Sequence, residues 1–60
     1  MAKVGDKYTL FGTDNVFEVT GDGGDNWVIK IIVPPSIEVG VLMNKIDLND
    51  SVNQGTFELQ

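Results

Sequence analysis

The chain reads as an all-β protein: five short antiparallel strands curled into a small barrel or half-barrel, with a one-turn 3-10 element before the last strand. Three observations predict this. Valine and isoleucine together number 13, against 7 for alanine, leucine and methionine. Branching at Cβ restricts rotamers in a helix and packs well on a pleated surface, so this apolar set is strand chemistry. Seven glycines and five asparagines interrupt the 60 residues, which favours short strands joined by turns. Finally, apolar and polar residues alternate with a period of two in several segments.

The first strand is predicted over Lys7–Phe11 and ends at Gly12-Thr13-Asp14-Asn15, with Tyr8 and Leu10 on one face and Lys7 and Thr9 on the other. The second runs Val16–Thr20, with Phe17 and Val19 inward and Glu18 and Thr20 toward water. Gly21-Asp22-Gly23-Gly24-Asp25-Asn26 has nothing to bury and reads as a hairpin loop. The third strand, Trp27–Val33, carries an unbroken apolar face of Trp27, Ile29, Ile31 and Val33 and is expected to be central. Pro34-Pro35 ends it, because neither residue has an N–H for a ladder.

Ser36–Gly40 reads as a connection, and a fourth strand follows over about Val41–Ile46. Its parity is open, since Val39, Val41 and Met43 compete with Leu42, Ile46 and Leu48 for the core; a bulge near Gly40 or a sharp bend reconciles the two sets. A helix over Val39–Leu48 is the competing reading, weakened by its β-branched residues and Asn44. Leu48–Val52 is expected to form the 3-10 turn, too short for a stable α-helix. Phe57 and Leu59 alternate with Thr56, Glu58 and Gln60 in the last strand.

This order of elements resembles the SH3-like small β-barrel, whose last strand is likewise preceded by a 3-10 turn. The likeness spans nearly the whole chain and rests on spacing, together with the Val4-Gly5-Asp6-Lys7-Tyr8 start and the Gly-Asp hairpin. The ALYDY-type run and paired tryptophan of signalling SH3 domains are missing, so proline-peptide binding does not carry over. The compact form with its Gly-Asp hairpin also resembles small proteins encoded by bacteriophages. That second resemblance implies a host protein as the partner, inhibited or redirected.

Composition excludes several chemistries. No cysteine or histidine is present, so thiolate zinc sites, disulfides and the commonest general base are out. Four lysines against nine acidic residues give a net charge of −5, the wrong sign for holding phosphate backbones. No apolar run is long enough to span a membrane, and Met1–Asp6 lacks the apolar core of a signal peptide, so a cytoplasmic monomer or small oligomer is expected. No enzymatic activity and no cofactor are expected, because so small a barrel encloses little cleft in which to separate the pKa values of two carboxylates.

Three strings and the set of aromatics are candidates for chemistry. Asn44-Lys45-Ile46-Asp47 is similar to the NKxD guanine-recognition motif of P-loop GTPases, but no GxxxxGK[ST] loop accompanies it, and a strand end leading into a turn is the plainer reading. Asp22-Gly23-Gly24-Asp25-Asn26 gathers oxygen ligands without the spacing of a calcium loop and reads as an exposed turn. Pro34-Pro35 reads as an edge block rather than a polyproline ligand. The five aromatics exceed what the core can hold, which points to Phe11 and Trp27 as surface anchors, although Trp27 capping one end of the barrel is an equal alternative.

The function expected is therefore a small acidic protein-interaction module docking on a larger, basic protein. Trp27, Phe11, Pro34 and Pro35 would supply the apolar contact, and Asp22, Asp25 and Glu18 the charge. Three other readings stand beside it. In DNA mimicry, Asp14, Glu18, Asp22, Asp25 and Glu38 imitate phosphates. In single-stranded nucleic-acid binding, the lysines converge on Tyr8 or Trp27, against the sign of the net charge. In a structural role, an exposed edge adds a strand.

Overall fold

The computed structural model describes residues 2–60; Met1, part of the N-terminal segment discussed above, lies outside them. Five strands and one helix follow in the order β1 (Lys7–Leu10), β2 (Val16–Gly23), β3 (Asn26–Val33), β4 (Ile37–Asn44), α1 (Lys45–Asn53) and β5 (Phe57–Leu59). They form one antiparallel sheet in the spatial order β4-β3-β2-β1-β5.

The expected barrel is thus an open sheet. β5 pairs with β1 and β4 with β3, so the two ends of the sheet are not joined by a ladder. The middle strand is β2 rather than the Trp27–Val33 segment, which lies one place from the edge. The register confirms the inward faces: Tyr8 opposes Phe17, Phe17 opposes Ile31, and Val19 opposes Ile29. Tyr8, Phe17, Val19 and Ile29, with Phe57 and Leu48, make the core, and Ile31 packs partly buried against it.

The expected 3-10 turn is a nine-residue α-helix. Its start is fixed by Asn44, whose side-chain oxygen accepts the N–H groups of Ile46 at 2.9 Å and Asp47 at 3.2 Å. Asp47 adds negative charge to the first turn, where the backbone dipole favours it. Its end is a Schellman motif: Gly55, at φ +80°, donates to the Val52 carbonyl and Thr56 to that of Ser51. So short a helix is marginal alone, and burial of Leu48 with partial burial of Val52 stabilises it here.

Two expected boundaries also move. The fourth strand begins at Ile37 and ends at Asn44, taking in most of the expected connection and losing Lys45 and Ile46 to the helix. Its parity resolves without a bulge at Gly40, since β3 and β4 pair regularly from Asn26↔Asn44 to Val33↔Ile37. Ile37, Val39, Val41 and Met43 share the helix side of the sheet, while Leu42 is exposed on the other. The bulge falls instead between Val19 and Gly21. The six-residue hairpin loop shrinks to two residues, because Asp22 pairs with Trp27 and Gly23 with Asn26. Gly24 has φ +82° and Asp25 does not have positive φ, the pattern of a type II′ hairpin turn.

Candidate functional site

The seven residues singled out for partner contact fall at two ends and on two faces of the sheet. Trp27, Asp22 and Asp25 lie at the β2–β3 hairpin end. Phe11 lies just past β1, and Pro34 and Pro35 make the β3–β4 turn, joined by a cis peptide bond. The register puts these last three at the opposite end, where β1 finishes, β2 begins and β3 turns. From Trp27 to Val33 the strand rises about 20 Å, so Trp27 and the prolines are not one patch. Glu18 sits on β2, on the face away from the helix.

At the hairpin end the side chains are tied to one another. Lys45 donates to Asp22 Oδ1 at 2.8 Å, and its Nζ lies 4.3 Å from the centroid of the Trp27 ring. That arrangement combines an ion pair with a cation–π contact. The Asp22 carboxyl is held below its ordinary value by the Lys45 hydrogen bond first and by the Gly24 N–H second. Trp27 is half-buried against the core, with Met43 as its neighbour on β4.

The other end is different. Phe11 is 76% exposed, Ile37 is 58% exposed, and both prolines are exposed. The Phe11 N–H donates to the Thr56 carbonyl at 2.8 Å. A shallow depression of about 320 Å³ lies beside its ring, lined by Gln54, Gly55 and Thr56. A larger one of about 340 Å³ is lined by Ala2, Tyr8, Asn49, Val52, Asn53 and Leu59. In the latter, the Tyr8 hydroxyl is engaged by Asp6 at 3.3 Å.

No family description, curated protein or solved structure matches the chain.

The charges are less free than their number suggests. Lys30 lies between Glu18 at 3.8 Å and Glu38 at 3.5 Å, on the sheet face away from the helix. Glu18 is flanked on the register by Lys7 of β1 and Lys30 of β3. Of the five carboxylates that would imitate phosphates, Glu18, Glu38 and Asp22 are therefore paired to lysine, and they do not share one face. For stacking on single strands, Tyr8 is buried and offers no ring face to a base. Among the described residues no cluster of three or more metal-ligating side chains occurs, and no helix is long and apolar enough to cross a membrane.

Sequence reasoning missed Ile37 and Val39. Assigned to a connection and to a doubtful parity, they are in fact exposed on an edge strand. The signal that could have found them is the alternation Ile37-Val39-Val41-Met43, unbroken once the strand is allowed to start directly after the prolines.

Proposed function

We propose that the chain is a small protein-interaction module whose contact surface is the sheet end formed by Phe11, Pro34, Pro35 and Ile37. The carrying observation is Phe11, a phenylalanine left 76% exposed in a molecule whose other aromatics are buried or half-buried. Exposed large apolar groups are what protein contacts use, and aromatics dominate such contacts energetically.

The partner we infer is a larger protein with a basic surface. The net charge of −5, with Asp14 in the turn after Phe11 and Glu38 following Ile37, would steer its approach. The reading is one of binding without catalysis. The phage-like resemblance extends it to a host protein that the chain inhibits or redirects in the cytoplasm.

The test is capture of a partner on the immobilised chain, its identification by mass spectrometry, and titration of that partner against the native chain and Phe11→Ala. The variant is expected to bind about tenfold more weakly or worse. Raising the salt is expected to slow association. Binding that is indifferent to both changes ends this reading.

A further inference from the structure

β4 is one edge of the sheet, paired on one side alone with β3. The Lys45 N–H donates to the Asp25 carbonyl at 3.0 Å, one step beyond the Asn26↔Asn44 pair. Antiparallel bonds alternate along a strand. The odd-numbered residues of β4 therefore bond to β3, and Glu38, Gly40 and Leu42 turn their N–H and C=O groups outward. Among the described residues, no turn, loop or side-chain hydrogen bond takes up those groups. Sheet edges are usually blunted by shortness, proline, a bulge or an inward charge. The other edge, β5, is three residues long. β4 is eight residues long, without proline or bulge, and its one charged side chain, Glu38, is held by Lys30 of its own chain.

Gly40 is the second observation. It sits in mid-strand with φ outside the positive region, and a Cβ added there would meet nothing within 4 Å. Nothing in the single chain calls for a glycine at this position, where it weakens a strand. Without a side chain at this position, the outward N–H and C=O groups of the edge are left unshielded.

We propose that two chains associate through β4, antiparallel, with Gly40 on the two-fold axis. In this register Gly40 bonds to Gly40 of the other copy, and Glu38 bonds to Leu42 in both directions. All the outward groups of these three residues are then used, in about six hydrogen bonds. On the helix side Val39 meets Val41 and Ile37 meets Met43, extending one apolar face across both sheets. The two Glu38 carboxylates stay four residues apart along the seam, about 14 Å. A shift by one residue would set the helix side of one copy against the outer face of the other, and a shift placing Glu38 on the axis would oppose two carboxylates. The seam is about 27 Å long and narrow, which sets the association at the weak end of specific interfaces.

Sedimentation equilibrium of the native chain from about 10 μM to 1 mM tests the association. The apparent mass is expected to rise from 6.5 kDa toward twice that value. Both copies carry −5, so added salt is expected to favour the dimer, opposite in sign to its effect on a basic partner. The native chain has no cysteine, so a disulfide in a variant can form only between chains. Mixed Ile37→Cys and Met43→Cys chains are expected to form the heterodisulfide at least tenfold faster than either forms its homodisulfide. Gly40→Lys, with folding checked by circular dichroism, is expected to weaken the dimer at least tenfold. Monomer mass up to 1 mM overturns the proposal, whether or not the edge accepts a strand from another protein. A dimer that survives Gly40→Lys, or that crosslinks equally well through Ile37→Cys alone, overturns it too. Phe11 lies three strands from β4, so Phe11→Ala is expected to leave self-association unchanged, which separates this test from that of partner binding.

Discussion

At the scale of the residue, the string Asn44-Lys45-Ile46-Asp47 illustrates how a short likeness dissolves into local structure. Asn44 spends its side-chain oxygen on two N–H groups of its own helix, and Lys45 is held by Asp22 and the Trp27 ring. Asp47 lies in the first helical turn, leaving Ile46 exposed. Two of the three side chains that would read a base are thus engaged within the chain itself. Tyr8 gives a testable consequence at the same scale. Its phenol is pushed above its ordinary value of 10.0, first by burial, then by the nearby Asp6 charge and by the hydrogen bond to that carboxylate. A raised folded pKa means that the unfolded chain ionises first. The stabilising contribution is therefore complete below about pH 10 and is lost as pH climbs through the folded value. This is the one tyrosine in the chain, so phenolate absorbance follows it directly. Titration is expected above pH 10, and Tyr8→Phe is expected to lose less stability than the native chain as the pH rises past 10. A phenolate forming at or below pH 10 would contradict the burial assigned to it.

At the scale of the element, the alternation of side chains was legible and the lengths of connections were not. Tyr8 with Leu10, Phe17 with Val19, and Trp27 with Ile29 and Ile31 all fall on the expected faces, because a period of two is a strong local signal. Gly21–Asn26 looked like a loop because it has nothing to bury. Pairing needs only backbone groups, however, and the ladder runs through Asp22 and Gly23 until Gly24 and Asp25 alone remain to turn. The helix was misread for a related reason. Leu48–Val52 alone is too short to hold an α-helix; the cap at Asn44, the terminating Gly55 and burial of Leu48 together extend it to nine residues. The turn makes a prediction. Gly24→Ala forces a side chain into positive φ and is expected to cost about 1–2 kcal/mol. The melting temperature would then fall by about 4–8 °C per kcal/mol, read by calorimetry. Gly40→Ala, with no positive φ and open space at its Cβ, is the control expected to leave the monomer's stability within about 0.5 kcal/mol. Equal losses at the two positions would refute the turn assignment.

At the scale of the molecule, the difference between a barrel and this open sheet lies in what joins the edges. In a barrel the first and last strands of the sheet bond to each other. Here α1 packs against both edge strands, β4 and β5, and its Leu48 enters the core formed by Val19, Ile29 and Phe57. The sequence alone showed five strands and enough apolar residues for one core. It could not show whether strand or helix completes that core, because the same Leu48 and Val52 suit a short 3-10 turn beneath a closing strand. The distinction matters for candidate sites as well: an open sheet leaves the outer edge of β4 without a partner strand and exposes Ile37 and Val39. If the helix is the closing element, its removal from the core should be felt everywhere at once. Leu48→Ala is expected to cost about 2–5 kcal/mol, as fully buried leucines do. A domain of this size holds only about 3–5 kcal/mol in reserve. The variant is therefore expected to be largely unfolded at 25 °C, with loss of both helix and sheet signals in circular dichroism and amide protection lost in β2 as well as in α1. Val52→Ala, where the side chain is half-buried, is expected to keep a cooperative transition at a lower midpoint. A Leu48→Ala chain that keeps β2 protected while α1 alone melts would show that the sheet stands without the helix.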